Sequence, residues 1–530
     1  MGAGRADAHD RIAGKGNRVM PSGLFWPWAS LAAAAVLFAG TSGAQDAGRY
    51  FVIEVVDAET ARGVPLVELR TVNGIRYYTD SAGIVAFHEP GLMDREVFFH
   101  VSSHGYVFPK DGFGYRGRAL RTTPGTTARL EVERVNIAER LYRVTGQGIY
   151  RDSVLAGRPA PIREPLLNGR VLGQDSVMAI PYRGRLYWFW GDTQKEAYPL
   201  GHFATSGAAS RLPSDGGLDP DVGVDLTYFV DAEGFSREMA PLPRPGPVWL
   251  DGLFTVADGS GGERLVAHYE RMERLGVRLE HGLMVYDDEK ELFERRQRLP
   301  DDARLYPRGQ ATRATIGAQA YWYFAQPYPL VRVKADWKHA LDVRAYEAWT
   351  CLAPGSDYDE DSPALDRAPD GQLVWGWKAN TAVVDESRQR ELLAAGKIEP
   401  EEAWIDLRDA ETQKPVEAHR ASVRWNAFRR RWVMILCQRH GTSFLGEIWY
   451  SEADAPEGPW RWARKIVTHD GYSFYNPVHH AFFDQDGGRR IYFEGTYTRQ
   501  FSATAVPTPR YDYNQIMYRL DLADPRLKLP

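Results

Sequence analysis

Two aspartates and the short connection between them are where chemistry first shows in this chain. The segment 174–193 contains the runs SVMAIPY and RLYWFWGDT, joined only by Arg183 and Gly184. Two strands closed by so short a turn pair Tyr182 with Arg185, and counting outward along that register puts Asp175 across the ladder from Asp192. Directly opposed residues hold their Cβ atoms about 4.5–5.5 Å apart. Carboxylates that close do not both ionise cheaply, so one keeps a proton while its neighbour stays an anion. That is the division of labour in a retaining glycosidase, whose acid/base and nucleophile stand about 5–5.5 Å apart, against about 6.5–9.5 Å in an inverting enzyme. Order along the chain does not assign the roles. Asp192, following Trp190 and Gly191, is the candidate for the drier place and hence the acid.

The same counting in later segments sets Asp251 opposite Glu270 and His479 opposite Glu494. Polar residues also begin the first strand of each hairpin: Asp175, Asp251, Gln310, His419 with Arg420, and Asn476 with His479. If those strand starts converge they line one polar funnel, with Trp190, Trp249 and Tyr475 able to stack on sugar faces. The alternative for each aspartate is a structural one, since Asp is a favoured turn residue that caps loop amides.

The elements that must position these groups are β-hairpins. Alternating apolar and polar residues recur at 174–192, 250–270, 309–326, 419–437 and 478–494, with further strands after each and a long insertion at 353–417 that is a candidate for shaping the pocket. Five such repeats over 170–530 predict an all-β chain whose main domain is a five-bladed β-propeller; a β-sandwich or barrel with large loops is the alternative. Ahead of it, 49–135 reads as a small β-sandwich, and 136–169, rich in Pro, Gly and Arg, as a linker. The apolar run LFWPWASLAAAAVLFAG, preceded by Lys15 and Arg18 and followed by Ser42-Gly43-Ala44, marks 1–44 as a signal peptide cut after Ala44, so a periplasmic or extracellular location is expected, without a stable membrane span; an uncleaved anchor is the alternative.

Composition narrows the function. With 530 residues and a net charge of −5 the chain lacks the basic footprint that phosphate-backbone binding requires, so nucleic acid is not an expected partner. Cys351 and Cys437 can form one bridge at most, or remain buried thiols, and build no four-thiolate zinc site. No H-E-x-x-H, P-loop or G-x-S-x-G occurs. No cofactor or metal is called for; a structural Ca²⁺ is compatible with oxygen ligands in the funnel, but nothing specifies it.

The residues LGQDSVMAIPYRGRLYWFWGDT resemble the opening blade of DUF4185-type proteins, glycoside hydrolase family 183, and more distantly the five-bladed glycosidases of families 32, 43, 62 and 117. The resemblance implies that Asp175 and Asp192 act as acid/base and nucleophile on arabinan-type glycans. EIWYSEADAPEGPWRWARKI and YNPVHHAFFDQDGGRRIYFEGTYT are similar to later blades of families 43 and 32. The chain departs from those families in lacking an R-D-P in the second blade and in having Gln310 where a third-blade glutamate acts as acid. Glu494, Glu270 and Glu280 are substitutes for that acid, as is His479 by likeness to family 117. FVIEVVDAETARGVPLVELRTVNGIRYYTDSAGIVAF resembles the carboxypeptidase regulatory-like module of secreted proteins, an accessory domain.

The expectation is therefore an exported glycoside hydrolase acting on a polysaccharide by a retaining mechanism. Three alternatives stand beside it: a non-catalytic glycan-binding propeller, a polysaccharide lyase using His419, Arg420 and His479 on a uronic-acid polymer, and a cell-surface scaffold.

Overall fold

A computed structural model of the chain describes residues 48–530; the expected signal peptide, 1–44, lies outside the described residues. Two four-stranded sheets come first. One contains Phe51–Asp57, Ile84–Phe87, Thr127–Arg134 and Tyr106–Val107, the other Glu68–Thr71, Arg76–Tyr78, Glu96–Ser102 and Gly117–Arg121. Period-two alternation in Glu96–Ser102 turns Val97, Phe99 and Val101 inward, where they meet Phe51, Ile53 and Val55 of the other sheet in one core.

The segment expected as a linker is instead built into the fold. Glu139–Arg143 pairs antiparallel with Asn514–Asp521 as the outer strand of the last sheet, and all five of its residues are buried. Its arginines suggested a solvated connector, but they are satisfied internally. The Arg140 guanidinium donates to the carbonyls of Pro65 (3.0 Å) and His104 (3.1 Å), in the sandwich. The short helix Arg151–Leu155 then packs on Ile84–Phe87, with the Ala86 N–H donating to Asp152 Oδ1 at 3.1 Å.

Among the described residues six sheets follow: a small one of Val171–Gln174, Thr193–Lys195 and Tyr198–His202, and five larger ones, each opened by one of the expected hairpins. Sheet I holds Met178–Tyr182, Arg185–Trp190, Ser206–Ser210 and Thr227–Tyr228; sheet II, Val248–Ala257, Glu263–Arg274, Val277–Asp287 and Leu292–Arg298. Sheet III begins with Gln310–Ile316 and Gln319–Ala325, sheet IV with Ala418–Asn426 and Arg431–Gln438, and sheet V with Ser473–His479 and Arg490–Thr498. First strands of successive sheets are neighbours. Apolar layers join I to II through Phe189 and Leu265, II to III through Phe254 and Phe324, III to IV through Tyr323 and Met434, and IV to V through Ile435 and Phe493. A further layer, with Trp188 and Trp190 against Val478, Tyr492 and Met517, joins V to I.

The 353–417 insertion adds the strand Gly376–Ala379 to sheet III, the strand Arg408–Asp409 to sheet IV and the helix Glu386–Ala394. Cys351 and Cys437 are both free and buried. Among the described residues no helix is long and apolar enough to cross a membrane.

Candidate active site

The first hairpin has the expected register, with Tyr182 opposite Arg185 and Met178 opposite Phe189. The ladder then breaks and resumes in a separate sheet with Gln174 opposite Thr193. Asp175 and Asp192 occupy the break, which is pinned by the Gly191 N–H donating to the Asp175 carbonyl at 2.8 Å. Ser176 adopts a left-handed φ of 55°, and its N–H leaves the hairpin to donate to Thr496 Oγ1 of sheet V at 2.9 Å. A break of this kind frees side chains that a continuous ladder would aim alternately up and down. Both aspartates line one cavity of about 660 Å³.

Their surroundings differ in hydrogen-bond donors. Asp175 Oδ2 accepts from the Tyr475 hydroxyl at 2.9 Å, and its carboxylate also accepts from Tyr513, from the Ser176 hydroxyl and from the Asp192 N–H. Burial raises its pKa, and these four donors pull it back. Asp192 accepts from the Trp249 indole N–H at 2.9 Å. Burial first, and then the charge on Asp175, push Asp192 up to about 7, which the indole only partly offsets. The four donors favour the anion on Asp175, while the single indole leaves Asp192 the easier of the two to protonate. Burial holds the Tyr475 and Tyr513 phenols far above neutrality, so they remain donors. Gly191 is necessary to this arrangement, since a Cβ there would lie 2.3 Å from Asp175 Oδ1.

Eight more of the expected residues line the same cavity: Trp249, Asp251, Glu270, Gln310, His419, Arg420, Tyr475 and Asn476. The pairing expected between two of them is not found. Asp251 faces His268, and Glu270 faces Trp249: the turn closes on Ala257 and Glu263, one residue off the expected register, and a bulge between Asp251 and Phe254 moves it by one more. Gly252 accommodates it at a φ of 58°, and Asp251 Oδ1 accepts from the N–H groups of Gly252 (2.9 Å) and Gly309 (2.8 Å), tying sheet II to sheet III. Asp251 Oδ2 lies 3.6 Å from Arg420, and Glu270 lies 3.3 Å from Arg278. His419 is pushed down to about 4 by burial and by Arg420 and Arg439, and its buried Nδ1 has no partner.

Four expected site residues are elsewhere. Trp190 is fully buried, stacked parallel to Trp188 in the layer between sheets V and I, where no sugar can reach it. His479 is also fully buried, its Nε2 bonded to Asp484 at 2.8 Å and its N–H to Ser422 Oγ. Glu494 opposes Val478 rather than His479 and forms a sealed pair with His480, Nε2 to Oε1 2.9 Å. The expected register fails at the connection itself, where the short 3₁₀ turns Ala481–Phe483 and Asp486–Gly488 replace a simple loop and set His479 opposite Phe493; a bulge between Tyr475 and Val478, with Asn476 at a φ of 51°, lies further along the strand. Glu280 likewise is buried between Arg271 and Arg295. The 353–417 insertion contributes nothing to the cavity lining.

Tyr475, expected as a stacking ring, serves the site by its hydroxyl instead. Other lining residues were not expected from the sequence. Tyr513 joins Tyr475 just ahead of the third strand of sheet V, and Arg308 stands just before sheet III. Their one sequence signal is position, within two residues of a strand end. Phe203, Leu275, Phe444 and Phe501, all largely exposed, form an apolar rim. Among the described residues no group of three or more His, Cys, Asp or Glu is arranged to hold a metal ion.

No family model and no curated protein matches the chain. Similar solved structures include the exo-β-1,3-galactanase from Phanerochaete chrysosporium with galactose, at 7% identity over 74% of this chain and 67% of that one, TM-score 0.36. A putative exo-β-1,3-galactanase from Bifidobacterium bifidum s17 is 10% identical over 74% of this chain and 96% of that one, TM-score 0.33. An exo-1,5-α-L-arabinanase from a bovine ruminal metagenomic library is 10% identical over 66% and 94%, TM-score 0.32.

Proposed function

We propose that the chain is an exported glycoside hydrolase, built on a five-bladed β-propeller, that cleaves a polysaccharide by double displacement. The propeller reading is supported by five sheets whose first strands adjoin in chain order and by the apolar layer between the fifth sheet and the first. The observation that carries the chemistry is the asymmetry of the aspartate pair inside one cavity. Asp192, protonated near neutrality, gives its proton to the glycosidic oxygen while Asp175 attacks the anomeric carbon and forms a glycosyl ester. Asp192, now a carboxylate, takes a proton from water, whose oxygen displaces Asp175.

The test is reducing-end release from arabinans, fructans, galactans and uronic-acid polymers by the wild type, Asp175→Asn and Asp192→Asn. Turnover by the wild type, reduced at least about 10³-fold in both variants and yielding the starting anomer by NMR, is the expected result. Turnover that survives both substitutions excludes the pair. The mature exported protein is expected to begin after Ala44, which N-terminal sequencing reads directly.

A lyase acting on a uronic-acid polymer is the second reading, favoured by His419, which is neutral at pH 7 with a free Nδ1 beside Arg420. Its product is an unsaturated uronide with near-ultraviolet absorbance, which hydrolysis does not produce.

A further inference from the structure

The charges around the cavity do not all have partners within the protein. Glu270 is matched by Arg278 at 3.3 Å, and Asp251 by Arg420 at 3.6 Å together with two backbone N–H groups. Asp175 is held by phenols, and Asp192 is the easier of the pair to protonate. Arg308, half-buried in the wall where sheet III begins, meets no carboxylate among the described residues. Its guanidinium lies over the Tyr306 ring, 5.7 Å from the centroid, and that ring is in turn backed by His268, stacked at 4.5 Å. A guanidinium fixed against an aromatic face keeps its planar fork of N–H donors for a group arriving from the cavity, and that fork matches a carboxylate bidentately. With no carboxylate of the described residues on it, that fork is available to pair with an anionic group of the ligand.

From this we infer that Arg308 is a carboxylate-recognising residue and that the glycan occupying the cavity carries a uronic acid, seated two sheets along from the aspartate pair. The inference rests on the cavity being a glycan site, and it specifies which glycans fit. Arg420, 3.6 Å from Asp251, stands at the start of the neighbouring sheet IV and lines the same cavity.

The experiment is calorimetric titration of the full exported chain with tetragalacturonate and tetraglucuronate, each compared with its carboxyl-reduced counterpart, which differs only in that group. The wild type should bind at least one acidic tetramer about tenfold or more tighter than its reduced form, with the margin shrinking as salt rises. Arg308→Gln should bring the two within about threefold, whereas Arg129→Gln, an exposed change in the sandwich, should leave the margin intact. Equal binding of acidic and reduced tetramers by the wild type overturns the inference and leaves the glycan reading standing. A margin that persists in Arg308→Gln overturns the assignment to this residue. Failure of every tetramer to bind, together with no turnover on any polymer, overturns both readings.

Discussion

At the scale of single residues, the proposed mechanism turns on the contrast between an aspartate with four donors and one that is held by a single indole. Because Asp192 titrates near 7, the rate should fall on the alkaline side of that value as the acid loses its proton, and the kcat/KM profile reads this directly. Tyr475→Phe removes one donor that keeps Asp175 ionised, so the Asp175 pKa goes up and the acid limb of the same profile should move to higher pH. The linkage to stability has a definite sign. A carboxyl whose folded pKa is raised favours folding most below its unfolded value of about 4, and that contribution is lost as pH rises through about 7. Urea unfolding of wild type and Asp192→Asn should therefore diverge in slope between those two pH values, with the wild type losing stability relative to the variant.

At the scale of the element, the decisive features are interruptions in otherwise regular strands. The break between Gln174 and Met178 releases the aspartates from the ladder, and Gly191 is what lets the Asp175 carboxylate approach the opposing chain. Gly191→Ala should leave far-ultraviolet circular dichroism unchanged while lowering kcat by about 10²-fold, the loss expected when a reacting group is displaced by about an ångström. The bulges at Gly252 and Asn476 do comparable work in sheets II and V, setting which polar residues enter the cavity. A hairpin closed by a two-residue connection has its register determined by the turn, so Asp175 and Asp192 were legible from their spacing. The longer connections of the second and fifth hairpins carry no such local rule, and there the pairings Asp251 with Glu270 and His479 with Glu494 failed at or just beyond the turn.

At the scale of the molecule, the sandwich and the five sheets are joined through buried polar contacts. Arg140 leaves sheet V to reach carbonyls of Pro65 and His104, and the Tyr511 hydroxyl donates to the Thr79 carbonyl at 2.7 Å. Leu66 of the sandwich lies in the same apolar cluster as Phe474 and Ile516. Calorimetry should accordingly show one transition rather than two. Arg140→Ala, which strands buried carbonyls, should cost about 2–4 kcal/mol and lower the melting temperature of the whole described chain.

The sequence by itself determined what depends on near neighbours: the five hairpins from period-two alternation, the aspartate pair from a two-residue turn, and the polar strand starts that line the cavity from position alone. Tertiary structure decided what depends on residues far apart in the chain. It sealed His479 against Asp484, Glu494 against His480 and Trp190 between two sheets, and it drew an arginine-rich segment into sheet V. The physical reason is that a side chain's type and spacing fix which strand face it occupies only while the ladder is regular. Whether that face meets water, a cavity or another sheet depends on which distant surface packs against it, and so does whether a buried charge finds the partner that makes burial tolerable.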